Sequence, residues 1–212
     1  MRRATPDALL LGTLARNNTG NTALTLASYR GHTETAQALL AAGAEKEAKD
    51  NDGHTALILA SMEGHTETVQ ALLAKGAEKE AKNNDGWTAL MMACYKGRLN
   101  VMKALLLAGA NKDTKEPEHG FTALALGIHV SNYYVAKALL DAGASTEVAD
   151  KWGNTPLIRA SQLHARNVNI MVIQKLLDAG ANKYAKNKAG KTARDVAEEH
   201  YNLDIVRILS DK

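Results

Sequence analysis

Seven histidines, one cysteine and a Gly-Lys-Thr triplet are the residues of this chain most able to carry chemistry, and their spacing argues against each use in turn. His54, His119, His129, His164 and His200 share no spacing that makes a ligand set, His32 and His65 each follow a turn glycine, and no H-E-x-x-H occurs. Glu198, Glu199 and His200 could face a cation but read as the solvated side of a terminal helix. Cys94 follows Ala93 in an apolar helical stretch, the place of a small core residue rather than a nucleophile. Being alone, it can form neither an internal disulfide nor a cysteine-paired metal site. Gly190-Lys191-Thr192 matches the end of a phosphate-binding loop, but that motif's first glycine would fall on Ala185 and no strand pattern precedes it. No G-x-S-x-G elbow appears, and Asn17-Asn18-Thr19 is a glycosylation sequon without a secretory signal to expose it. The expectation is a non-enzymatic chain with no catalytic residue, no metal site and no cofactor.

Composition narrows the partners. The chain has 212 residues, 45% of them hydrophobic but only 4% aromatic, so its core is built from small aliphatic side chains that suit helix stacking. A net charge of +3 is too slight to demand a polyanion, which disfavours nucleic acid. Pro6 and Asp7 interrupt the short apolar start, which argues against a secretory signal. Ala8–Leu11 reads better as the remnant of a helix that caps a stack. No stretch reaches the ~20 apolar residues of a membrane span. The lone Cys94 fits a reducing compartment, so an intracellular, cytoplasmic chain is expected, and a monomer.

The elements that must position any site repeat every thirty-three residues or so. G-x-T-A-L occurs at Gly20, Gly53, Gly86 and Gly120, then G-N-T-P-L at Gly153 and G-K-T-A-R at Gly190. Gly-Ala pairs at 43, 76, 109, 143 and 180 keep step, each after an apolar pair such as Leu39-Leu40. In the unit from Asp50 to Lys82, Asn51-Asp52-Gly53 has turn chemistry and predicts a hairpin-like finger. Thr55 can cap a helix from Ala56 to about Met62; in the equivalent place Thr155 is followed by Pro156, which suits a first helical turn. Gly64-His65 breaks that helix, and Thr66–Ala74 forms a second whose Val69, Leu72 and Leu73 share one face, ending at Gly76.

This pattern resembles the ankyrin-repeat family over about residues 17–212, on Asp50, Gly53, Thr55, Leu57, Gly64, His65, Leu72, Leu73, Gly76 and Ala77. The resemblance implies an all-α solenoid of stacked helix-turn-helix units with finger loops. We expect a single domain with 1–16 as an N-terminal cap or truncated repeat, repeats at 17–49, 50–82, 83–115, 116–149 and 150–186, and a capping repeat at 187–212. Where the family usually has His after Leu, this chain has Thr25, Ile58, Met91, Ala125, Ile158 and Asp195, so hydrogen bonds between repeats must be sought elsewhere. One extra residue stands around Glu116–His119 and about four near Gln162–Val168, and such insertions usually map to loops.

The resemblance also implies where a partner would bind, namely the finger tips and first-helix ends. Projected there are Tyr29, Arg30, His54, Met62, Trp87, Tyr95, Lys96, Phe121, His129 and Trp152, which include five of the nine aromatic residues. Exposed aromatics and arginine are typical of interface hot spots, so a protein or peptide partner is expected. The same rings could instead pack one finger on the next. Lys49, Lys82, Lys115 and Lys186 recur before the fingers, either to attract an acidic or phosphorylated peptide or as a solvated edge beside Glu45, Glu47, Glu78 and Glu80. The alternatives are a regulatory subunit, a fragment of a larger ankyrin protein, which the half unit before Asn17 would fit, or a polyanion-binding protein using those lysines.

Overall fold

The structure is a computed structural model that describes residues 15–163 and 167–210. The expected cap helix at Ala8–Leu11 and residues 164–166 of the insertion near Gln162–Val168 lie outside the described residues. The described residues form helices and no strand, and they group into two compact units, one ending at Ala110 and one beginning at Asn111.

In the first unit, α1 (Ala23–Arg30), α3 (Ala56–Glu63) and α5 (Ala89–Tyr95) pack in succession, with α2 (Thr33–Ala41), α4 (Thr66–Ala74) and α6 (Leu99–Leu107) stacked beside them. The second unit repeats this with α7 (Ala123–His129), α9 (Pro156–Ser161) and α11 (Ala193–Glu199) against α8 (Tyr133–Asp141), α10 (Asn167–Asp178) and α12 (Leu203–Ser210). The first helices start where the capping threonines predict. Thr22, Thr55, Thr88, Thr122, Thr155 and Thr192 are extended, and each hydroxyl accepts from the backbone N–H three residues on. The core is aliphatic: Leu57, Ile58, Leu72, Leu90, Met91 and Leu105 in the first unit and Leu124, Leu126, Ile128 and Leu139 in the second are fully buried.

Repeats are joined by polar groups that the repeat period itself brings into register. Asn51 N–H donates to Thr19 O at 3.1 Å and Asn84 N–H to Asp52 O at 3.0 Å; in the second unit Lys151 N–H donates to His119 O and Lys188 N–H to Trp152 O. The Asn51 and Asn84 side chains add bonds to Asn18 O and Asn51 O. His65 Nε2 lies 3.0 Å from Tyr29 O, and its ring sits where Gly31 leaves room, because a Cβ at Gly31 would come within 2.4 Å of it. Arg98 takes the same place one repeat later, donating from Nε to Met62 O at 3.0 Å. These contacts join successive repeats. His65→Ala is therefore expected to lower the unfolding free energy by about 1 kcal/mol, measurable by urea unfolding, and an unchanged midpoint would refute the joint.

Two of the four lysines before the fingers take part in this joinery. Lys49 Nζ donates to Lys82 O at 2.8 Å and Lys115 Nζ to Ala149 O at 2.5 Å, and the Arg16 guanidinium reaches Lys49 O. Glu47 and Glu147 act likewise, accepting from Glu78 N–H and Asn182 N–H. Lys49 and Lys115, though exposed, are therefore not a free cationic row.

Cys94 is buried in α5, and burial pushes its thiol far above the ordinary cysteine range. Alkylation by iodoacetamide should be negligible in the native protein and complete in urea. Rapid native labelling, followed by mass spectrometry, would contradict this packing.

Candidate functional site

Each finger is shaped by one polar anchor that accepts from the backbone of its own tip. Asp50 Oδ1 accepts from Asp52 and His54 N–H at 3.0 and 2.8 Å, Asn83 Oδ1 from Asp85 and Trp87, Asp150 Oδ1 from Trp152 and Asn154, and Asn187 Oδ1 from Ala189 and Lys191. The anchor thus fixes the backbone of the residue before each of these capping threonines, two of which, His54 and Trp87, are projected contacts, and in the fifth finger also that of the projected contact Trp152. Only the finger with the extra residue differs. There Glu116 accepts from Glu118, His119 and Phe121 N–H, its longer side chain spanning the longer loop.

In the first unit, Trp87 is half-buried and meets the Tyr95 ring edge to face, with centroids 5.2 Å apart. Tyr95 is 40% exposed, with Lys96 Nζ 5.6 Å from its ring centre. Tyr29 is 45% exposed beside exposed Arg30. Half-buried Met62 and His54 line a recess of about 360 Å³ together with Leu26, Tyr29, Asp52 and Leu59. His54 is held between two fingers. Because Asn83 Oδ1 is taken by backbone N–H groups, its Nδ2 faces His54 Nε2 at 3.3 Å, which leaves His54 Nδ1 to donate to Asp50 Oδ2 at 3.2 Å.

Sequence spacing had separated the histidines from any ligand set, yet the finger turn brings donor atoms of Asp50, Asp52 and His54 within 4.8 Å of one another. The finger's own hydrogen bonds already use Asp50 and the His54 ring. His119, by contrast, joins the aromatic group of the second unit.

In that second unit Phe121 does not lie on the surface as projected. It is only 7% exposed, stacked on His119 at 5.2 Å and flanked by His129 at 5.9 Å and Trp152 at 6.3 Å. The Arg159 guanidinium covers its other approach, 4.6 Å from the Phe121 ring centre and 5.5 Å from that of Trp152. Phe121 therefore supports the surface from beneath. Trp152 remains 50% exposed and His129 is exposed, so both keep a face for a partner.

Arg159 escaped the sequence reading. It stands four residues after its capping threonine, in the column of Leu26, Leu59, Met92, Leu126 and Val196, and a charged residue in an otherwise apolar column is the signal that could have found it. Asp150 Oδ2 accepts from Arg159 Nη2 and, at 3.2 Å, from Asn154 Nδ2.

Comparison with known proteins fits this geometry. A profile of ankyrin repeats matches residues 7–83, 25–116 and 75–150, in three copies. The chain belongs to the ankyrin-repeat family. Ankyrin repeats are generally protein-interaction modules, and the helix-pair stacking described above is the family's architecture. The chain is similar to the crystal structure of the ankyrin repeat domain of Bcl-3, a member of the IkappaB protein family, at 27% identity and a TM-score of 0.84, covering 95% of this chain and 92% of that one. It is also similar to a chain in the complex of the Bd0816 predatory endopeptidase from Bdellovibrio bacteriovorus with immunity protein Bd3460, at 32% identity and a TM-score of 0.78, covering 91% of this chain and 99% of that one. No curated protein matches the chain in sequence. No helix among the described residues is long and apolar enough to cross a membrane.

Proposed function

We propose that this ankyrin-repeat chain is a non-enzymatic module that binds another protein through its finger and first-helix side chains. The carrying observation is which finger and first-helix rings stay exposed: Tyr29, Tyr95 and Trp152, with half-buried Trp87 wedged against Tyr95. Burying such rings against a partner supplies large apolar area at low entropic cost, and the anchored fingers present them already in place. Arg30, His54, Met62, Lys96 and His129 are the accompanying polar and flexible contacts, whereas Phe121 positions Trp152 rather than meeting the partner.

The test is affinity capture from native cells with the parent chain and with a Trp87→Ala/Trp152→Ala variant of unchanged circular dichroism. Proteins retained by the parent and lost by the variant are the expected result. Identical captures would refute the assignment. The similarity to a chain of the Bd0816 complex over 99% of its length favours a second, narrower reading in which the partner is a peptidase. Loss of the same capture differences in peptidase-deleted cells would single that reading out.

A further inference from the structure

We propose that the recess between the fingers of Trp152 and Lys188 takes an acidic side chain of the partner protein, presented beside an apolar one. This rests on the protein-binding reading and adds the partner's chemistry. The recess has a volume of about 600 Å³ and is lined by Trp152, Asn154, Arg159, Gln162, Asn187, Lys188 and Ala189. That is room for a pair of side chains.

Three observations set its charge. The column that supplies Leu26, Leu59, Met92 and Leu126 in other repeats supplies Arg159 here, so a cation lines the recess where the repeat elsewhere has an apolar residue. Its carboxylate partner is already saturated. Asp150 Oδ1 accepts two backbone N–H groups and Oδ2 accepts from both Asn154 and Arg159, while Arg159 gives Asp150 only Nη2 and keeps a buried Nε–H with no acceptor among the described residues. Finally, the tips that carry Asn51 and Asn84 in the first unit carry Lys151 and Lys188 here, both exposed and neither in an ion pair among the described residues.

Two cations, Arg159 and Lys188, thus line the recess, with exposed Lys151 next to Trp152 in sequence, against one carboxylate whose acceptor sites are filled, and an incoming Asp or Glu is the complementary group. The half-exposed Trp152 ring beside them has an open face for the neighbouring apolar side chain. Arg159 is held in place by Asp150 and by the Phe121 and Trp152 rings, so its guanidinium need not be ordered on binding.

The experiment pans a phage-displayed library of random dodecapeptides against the full chain, then measures synthesised winners on Lys151→Glu/Lys188→Glu, on Trp152→Ala and on the surface control Lys103→Glu. The winners should be enriched in Asp or Glu next to an apolar residue. Their affinity should fall at least about tenfold in the double-Glu variant and about fivefold in Trp152→Ala, with no change in the control. Winners without acidic enrichment, or equal binding by the variants, would overturn this inference while leaving the protein-binding reading intact. No winner at all would count against both. A twelve-residue oligothymidylate that binds more tightly than every winner, and loses affinity in the same variants, would overturn the peptide in favour of single-stranded nucleic acid.

Discussion

Glu116→Ala should lower the unfolding free energy by about 3 kcal/mol, more than truncation of any other finger anchor, as followed by urea unfolding and circular dichroism. The Glu116 side chain is fully buried, and its carboxylate accepts three backbone N–H groups at 2.7, 2.8 and 2.9 Å. Hydrogen bonds to a charged acceptor contribute roughly 1.5–3 kcal/mol each. Water can replace the carboxylate at exposed Glu118 and partly at His119, but the N–H of buried Phe121 has nothing else to turn to. Geometry supplies a stricter test. In the fingers anchored by Asp50 and Asp150 the last donor is four residues on, while from Glu116 it is five. Glu116→Asp should therefore lose at least half of the alanine effect. Deleting Glu118 in the same chain restores the four-residue spacing and should recover most of it. If Glu116→Asp alone were as stable as the parent, the length-matching argument would fail.

That finger shows where the sequence was legible and where it was not. A repeat presents the same problem six times, so the capping threonines, the turn glycines and the bounds of Thr66–Ala74 could be read directly, and the extra residue near Glu116 could be noticed. Its compensation by a longer anchor needed the hydrogen bonds, because a one-methylene difference between Asp and Glu carries no pattern of its own. The lysines before the fingers illustrate the opposite failure. Their spacing was plain, but a charged side chain recurring at the repeat period can face solvent, a partner or the next repeat equally well. Only the contacts of Lys49 and Lys115 with carbonyls one repeat on decide among these.

Phe121 failed as a surface residue for a reason that lies in another repeat. Its finger position is the one held by His54 and Trp87, both half-buried, but Arg159 and Trp152 close over it from the following repeat. A projection made one unit at a time has no access to such a neighbour. The same substitution of Arg for an apolar residue that hides Phe121 creates the charged recess beside it, so one departure from the repeat accounts for both.

Phe121 and Trp87 consequently separate stability from recognition, and the two alanine variants should diverge. For Phe121→Ala we expect about 3 kcal/mol less stability, at the low end for a buried aromatic because its neighbours His119 and Trp152 retain exposed faces and can settle inward. For Trp87→Ala we expect about 2 kcal/mol of lost binding to the captured partner, roughly thirtyfold in Kd, with a shift of only a few degrees in Tm. Its backbone N–H remains bonded to Asn83, so the finger keeps its shape when the ring is removed. The edge-to-face contact with Tyr95 makes a sharper check possible. If both rings meet the partner as one surface, the binding losses of Trp87→Ala and Tyr95→Ala should be non-additive by at least about 0.5 kcal/mol in a double-mutant cycle. Additive losses would show that the two rings bind independently. A Trp87→Ala chain that unfolds as readily as Phe121→Ala while binding normally would assign Trp87 to finger packing and remove the centre of the proposed contact surface.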